Sequence, residues 1–218
     1  MLSVSGLSNS TLSQQPKPSK ASLRRQLRQR RRDLTPLQQR HAAQQFAKLI
    51  ACQPFFKSSK KLGLYLATDG ELDLGYLLDV AVAQGKSVFL PVIPKNGRQR
   101  LMFLPMAGAG LRPNRYGILE PSLKGSHAIP EWQLDLVLVP LVGFDRHGGR
   151  LGMGGGFYDR CFAELDRRPR RPLLIGVGHS CQEVEALPTD TWDLNMNAIV
   201  SDREVIKVDK CRRHKFRP

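Results

Sequence analysis

The chain has 218 residues, 41% of them hydrophobic, enough to bury the core of one α/β domain and too apolar for disorder throughout. No run of about 18 apolar residues occurs, which excludes a membrane-spanning helix. The 34 basic and 19 acidic side chains leave +15, but the excess sits at the ends: nine Lys/Arg against one acid in residues 1–40, seven against three in 201–218, and only +3 between. A nearly neutral body with 7% aromatics is a poor nucleic-acid surface, although the pI and an Arg-rich helix make nucleic-acid binding the reading to compare.

Residues 1–19 are Ser-rich and polar, with Pro16 and Pro18, and are expected to form a disordered tail; the same acid-poor composition occurs in organellar transit peptides. From Lys20 to Leu34 the leucines at 23, 27 and 34 recur at helical spacing in a very basic amphipathic helix. Thr35-Pro36 is an N-cap followed by proline at the first helical position, and opens a second helix to about Cys52. LGLYLA (62–67) is a short apolar run ending in the turn TDGE, and Leu72 to Ala83 has helical periodicity up to Gly85. SVFLPVI (87–93) and LMFLPM (101–106) read as strands around Asn96-Gly97. DLVLVPLVGFD (135–145) lacks alternation, as in a strand buried on both faces. A glycine-rich loop follows, then the amphipathic helix FYDRCFAELDRR, and LLIGVGH (173–179) and NAIVSD (197–202) read as the last strands. Strands alternating with helices predict a single three-layer α/β/α domain with a mostly parallel, Rossmann-like sheet over residues 20–205, and a basic tail over 206–218.

Cys52, Cys161, Cys181 and Cys211 form no C-x-x-C pair and no Cys/His metal spacing, the pattern of free thiols in a reducing, cytoplasmic setting. The five histidines are scattered; His147 and His179 are the two nearest to interest, and both are left outside the site. The sharpest feature is GFDRHGGRLGMGGGFYDR (143–160). Clustered glycines let backbone amides converge with no Cβ in the way, and a helix start near Phe157 adds positive potential, which together form an anion cradle. It is neither a P-loop, lacking Gly-Lys-Ser/Thr, nor G-x-G-x-x-G, because Phe157 takes the sixth position.

The string RLGMGGGFYDR, preceded by VPLVGFDRHG, resembles the signature of the 5-formyltetrahydrofolate cyclo-ligase family, also called 5,10-methenyltetrahydrofolate synthetases. KASLR (20–24), YLATDGELD (65–73), YGILEP (116–121) and LPTDTWD (187–193) match in the same order, so the resemblance covers about residues 20–202. It implies closure of 5-formyltetrahydrofolate to the 5,10-methenyl form, with ATP split to ADP and phosphate and Mg²⁺ required. By the resemblance, Lys20, Arg24 and the segment Arg150, Leu151, Gly152, Met153, Gly154, Gly155, Gly156, Phe157, Tyr158 bind ATP. Leu66, Glu71 and the stretch Met153 to Phe157 face the folate, and Asp159 and Asp193 hold Mg²⁺, with Asp190 the neighbour that could be mistaken for Asp193.

For several of these a plainer reading stands beside the implied one. Lys20 and Arg24 suit a solvated basic helix face, Glu71 the first turn of a helix at 72–83, and Asp193 a helix cap or surface acid. Arg28, Arg30, Arg31 and Arg32 match no binding position and read as solvated, and Tyr116 and Glu120 carry no assigned role. Phe157 stands where many members have tyrosine and Asn197 where many have aspartate, which leaves fewer acids near the implied metal. The substrates expected are ATP and the folate, whose acidic polyglutamate chain would suit a positive groove, acting on a monomer with no membrane or specific nucleic-acid partner. A sugar-phosphate isomerase or coenzyme A transferase on a similar sheet is the competing enzyme class, distinguished by a catalytic carboxylate and no need for ATP.

Overall fold

The helices begin where capping chemistry permits. In the computed structural model, which describes residues 19–94, 100–107, 110–115, 117–122, 127–168, 170–188, 190 and 193–208, helix α1 (Lys20–Arg32) starts at Ser19, whose hydroxyl accepts from the Ser22 amide at 3.2 Å. Its last turn carries Arg30, Arg31 and Arg32, which suits the negative end of the helix dipole. Helix α2 (Pro36–Ala51) opens on a Thr35–Gln38 capping box with Pro36 behind it, as the sequence predicts. The short α3 (Pro54–Ser58) leads into β1 (Lys61–Gly63).

Helix α4 (Gly75–Ala83) starts three residues later than its periodicity suggests. The Tyr65 hydroxyl donates to the Leu72 carbonyl at 2.8 Å and the Asp73 carboxylate takes the Gly75 amide at 2.6 Å, so the 72–74 backbone is committed before the helix begins. Strands β2 (Ser87–Val92) and β3 (Met102–Pro105) pair antiparallel; residues 95–99, including the expected Asn96-Gly97 turn, lie outside the described residues. A small hairpin, β4 (Leu111–Pro113) and β5 (Leu119–Pro121), follows.

The long apolar run at 135–145 is not one strand. Strand β6 (Leu136–Pro140) ends at its proline; the Gln182 amide then donates to the Leu141 and Val142 carbonyls at 2.7 and 2.8 Å. The chain continues as a two-stranded ribbon of β7 (Gly143–Phe144) and β8 (Arg150–Leu151). The helix expected after the glycine loop is short. Helix α5 (Phe157–Phe162) gives way to a 3-10 turn, and Arg100 donates to the Cys161 carbonyl, the group a longer helix would offer to Leu165. Strands β9 (Leu173–Val177), β10 (Ala198–Val200) and β11 (Val205–Lys207) complete the sheet, and β11 crosses the boundary expected at residue 205, with Ile206 buried.

The seven-stranded sheet has the order β11-β10-β9-β6-β1-β2-β3. Its five central strands are parallel, and β3 and β11 close the edges antiparallel. One face packs Leu62, Leu136, Leu138 and Ile175 against Phe46, Ile50 and Leu77 of α2 and α4. The other packs Val137, Val139 and Ile199 against Cys161 and Phe162 of α5. The three-layer, mostly parallel α/β arrangement expected from the sequence is present, with one outer layer thin because α5 is short. From β1 the chain winds one way to β2, and from β6 the other way to β9 and β10, so the topological switch point lies between β1 and β6. In open α/β sheets, ligands bind in the crevice at the carboxyl ends of the strands flanking such a point. Here those ends release two loops, residues 64–74 and 141–156.

Candidate active site

Helix α1 spans the carboxyl edge of the sheet: Leu23 and Leu27 pack on Val142, Leu151 and Leu187. That packing sets the helix beside both switch-point loops. Arg24 donates from Nε to the Gly152 carbonyl at 2.8 Å, and its guanidinium carbon would lie 3.5 Å from a Cβ on Gly154. Lys20, one turn earlier, bonds Asp190 at 2.6 Å and lies 3.5 Å from Asp193. The two residues that the resemblance links to phosphate therefore flank the glycine loop, one on its backbone and one on the carboxylates beside it.

The loop is anchored at its root and open at its tip. The buried Asp145 carboxylate accepts the amides of His147, Gly149 and Leu187 at 2.9, 2.7 and 2.9 Å, fixing the turn before the ribbon and the segment that leads to Asp190. Arg150, 7% exposed, donates from Nε to the Leu194 carbonyl at 2.6 Å and pairs through Nη2 with Asp159, whose carboxylate also accepts the Leu194 amide. Gly154 and Gly156 have φ of +96° and +61°, conformations that suit residues without a Cβ. Met153, Gly154 and Gly155 are exposed, and none of the amides of Gly152 to Gly156 donates to another described residue. Uncommitted backbone donors thus lie beside Arg24 and Arg150. The expected contribution of a long helix start is reduced, because α5 has only six residues.

The folate-side candidates have different surroundings. Leu66 lines a crevice with Ala67, Asp73, Leu78 and Met106, at the end of β1. Glu71 instead accepts from the Thr68 amide at 3.1 Å and lies 3.8 Å from Arg31. It is four residues ahead of α4, so it is not a first-turn acid of that helix. Burial pushes the Glu71 carboxyl up, and Arg31 and the Thr68 donors pull it partly back. Tyr158 stacks on Phe162 at 6.3 Å, and its pKa is raised by burial, with the Glu71 charge adding to the shift.

The reading of Arg31 as solvated fails, and Arg28 and Arg32, though they keep much of their exposure, are not without a partner. All three converge on Asp69: Arg28 and Arg31 reach one carboxylate oxygen at 2.7 and 2.9 Å, Arg32 bonds the other, and Arg31 also donates to the Asp69 carbonyl at 2.8 Å. Arg31 is fully buried. It follows Leu23 and Leu27 at four-residue spacing, so its place on the apolar stripe was the available signal. Asp69 itself has φ of +53°, a conformation Asp tolerates. His179, 1% exposed, is buried with neither ring nitrogen hydrogen-bonded to a described residue; burial lowers its pKa, and Asp202 opposes the shift.

Burial alone would raise the Asp69 carboxyl, but the hydrogen bonds from Arg28, Arg32 and Arg31 outweigh it and hold it down at about 2. A carboxyl depressed in the folded state stabilises the fold above its ordinary pKa, and the stabilisation is lost as pH falls through the folded value. Asp69→Asn is therefore expected to be less stable than the parent at pH 7, with the gap closing between about pH 4 and 2. Denaturant unfolding at pH 7 and pH 2.5 checks this; an equal gap at both would contradict it.

Metal-site expectations fare unevenly. Asp159 is engaged by Arg150; Asp193 accepts the Asp190 amide at 2.8 Å and caps that turn. Leu194 joins the two, since its backbone bonds both Arg150 and Asp159. Among the described residues no group of three metal-ligating side chains could hold an ion alone. Asn197, read as a missing acid near the metal, is engaged at the start of β9: its side chain accepts from the Leu174 amide and its own amide donates to the Leu174 carbonyl, both at 2.7 Å. Glu120 accepts from Asn114 at 3.1 Å, and Tyr116 lies outside the described residues.

The profile of the 5-formyltetrahydrofolate cyclo-ligase family matches residues 16–202. The chain is 39% identical over 180 residues to the 5-formyltetrahydrofolate cyclo-ligase of Escherichia coli, covering 82% of this chain and 98% of that one. It is 36% identical over 173 residues to that of Haemophilus influenzae, covering 79% and 91%. Its fold is similar to the NMR structure of Aquifex aeolicus 5,10-methenyltetrahydrofolate synthetase, with a TM-score of 0.73, 31% identity, and 91% and 96% of the two chains covered.

Proposed function

The chain belongs to the 5-formyltetrahydrofolate cyclo-ligase family, and on that footing we propose that it closes 5-formyltetrahydrofolate to 5,10-methenyltetrahydrofolate while splitting ATP to ADP and phosphate. The formyl oxygen of the substrate is a poor leaving group. In the proposed reaction it takes the γ-phosphoryl group of ATP, N10 adds to the activated carbon and loses its proton, and the C–O bond breaks to release the oxygen with phosphate. No covalent protein nucleophile is needed, so the protein's contribution is alignment and charge stabilisation.

The observation that carries this reading is the set of uncommitted amides from Gly152 to Gly156, flanked by Arg24 and Arg150 at the switch point. Those donors suit the phosphate oxygens, and Arg150 offers a two-pronged partner from a rigid, buried position. Lys20 is held by Asp190 and in the proposal turns to the triphosphate when nucleotide binds, whereas Arg150 stays on Leu194 and Asp159 and offers its remaining donors. Glu71 accepts N–H groups of the pterin, with Leu66 and Met153 as apolar neighbours.

The donor set also suits Mg²⁺. One or two carboxylates, with phosphate oxygens and water making up the shell, is normal for this ion, and Asp159 and Asp193 on either side of Leu194 are the carboxylates proposed. When bound, the ion would neutralise charge developing on the phosphates. Free Cys52, Cys161 and Cys181 support a reducing, cytoplasmic setting.

The test is direct. Purified protein mixed with 5-formyltetrahydrofolate, ATP and Mg²⁺ is expected to generate the absorbance of the methenyl product, with one phosphate released per ring closed. Product formed equally well without ATP, or none with it, would overturn the reading.

A further inference from the structure

Helix α1 places one guanidinium where three segments meet. Arg31 donates to the Asp69 carbonyl at 2.8 Å and carboxylate at 2.9 Å, reaches the Leu141 carbonyl at the end of β6 at 3.5 Å, and lies 3.8 Å from Glu71 and 4.0 Å from the Met153 sulfur. Its side chain is fully buried, so these contacts are not a choice among solvated rotamers. The Arg31 carbonyl holds the same junction from the other side, accepting from Gln39 at 2.9 Å and packing where a Cβ on Gly70 would lie at 3.2 Å. A buried cation is costly unless it is fully paired, and here one cation is shared between the turn carrying Glu71 and the loop carrying Met153.

Resting on the function proposed above, we infer that Arg31 is a positioning residue that keeps Glu71 and Met153 in register, so that the folate wall and the phosphate loop meet as one site. The residue binds no substrate itself. It acts through Glu71, and the groups around that carboxylate fix the sign of its effect: Arg31 from α1, Thr68 and Asp69 from its own turn, Tyr65 after β1 and Tyr158 from α5, while His179 after β9 meets only the Glu71 backbone. Arg31 and the Thr68 donors favour the charged form; burial and Asp69 oppose it. Removing the cation therefore moves Glu71's titration upward, as expected of an opposite charge lost at this range.

The experiment compares Arg31→Gln with the parent in two readouts. A ¹³C titration of the Glu71 carboxyl, assigned by its loss in Glu71→Gln, needs no substrate; its midpoint is expected to rise by about one pH unit. Steady-state kinetics are expected to show KM for 5-formyltetrahydrofolate up roughly tenfold, with KM for ATP within twofold. An unmoved midpoint, or equal changes in both KM values, overturns the inference. If Arg31→Gln does not fold, Arg31→Lys carries the test: the ammonium keeps the charge but cannot hold the Asp69 carbonyl and carboxylate together, so the folate KM still rises severalfold, and a folded Arg31→Lys with the parent's folate KM overturns the inference. A parent that turns over no folate would sink the proposed function and leave the carboxyl titration to judge Arg31.

Discussion

Arg150→Ala is expected to lower ATP-dependent ring closure by about a thousandfold, the scale of loss when a positioned guanidinium is removed from phosphoryl transfer. The side chain is 7% exposed and held by Leu194 and Asp159, so it presents its remaining donors from a fixed position. Its removal does more than delete a charge. Asp159 loses its cation and the Leu194 carbonyl its donor, which loosens the segment carrying Asp193. Some loss of stability is therefore expected alongside, on the order of 2–4 kcal/mol for a broken, partly buried pair. Thermal unfolding separates the two effects: a variant still folded at the assay temperature with activity within tenfold of the parent would show that Arg150 is structural only.

Gly154→Val is expected to cut kcat/KM for ATP roughly a hundredfold, through loss of aligned donors rather than loss of a charge. Space is not the difficulty, since the nearest atom to an added Cβ is the Arg24 guanidinium carbon at 3.5 Å, an ordinary contact. The backbone is. At φ of +96° a β-branched residue costs about 1–3 kcal/mol of strain. The exposed loop can relieve that by rotating the 153–155 peptides, and their amides would then no longer converge. Kinetics at saturating folate, with ATP varied, read this directly; an unchanged ATP dependence would mean that the loop amides do not hold the nucleotide.

Much of this was legible in the sequence because it is local. The caps at Ser19 and Thr35, the glycine loop and the alternation of strands with helices are written in neighbouring residues, and the ordered motifs pointed to the family. What was not legible depends on contacts between distant segments. The run at 135–145 has the composition of one strand, and its carbonyls at Leu141 and Val142 are taken after Pro140 by Gln182, some 40 residues along the chain. Arg31 stands on the stripe of Leu23 and Leu27, but nothing in the RQRRR stretch names Asp69 as the group it is buried against. Asn197 stands where many members of the family have aspartate, and that resemblance says nothing about the Leu174 backbone that engages it. Lys20 and Arg24 were read together as phosphate ligands; they do share a helix face, yet one meets carboxylates and the other a carbonyl.

In the proposed reaction the amides of Gly152 to Gly156 receive the phosphates of ATP next to the carboxylate of Glu71. An ¹⁵N chemical-shift titration tests it without relying on turnover. Adding ATP with Mg²⁺ is predicted to move the amide signals of residues 152–158 first and furthest, and adding 5-formyltetrahydrofolate to move Glu71 and Met153. If ATP leaves the 152–158 amides in place and perturbs another surface, the site described for this chain is wrong.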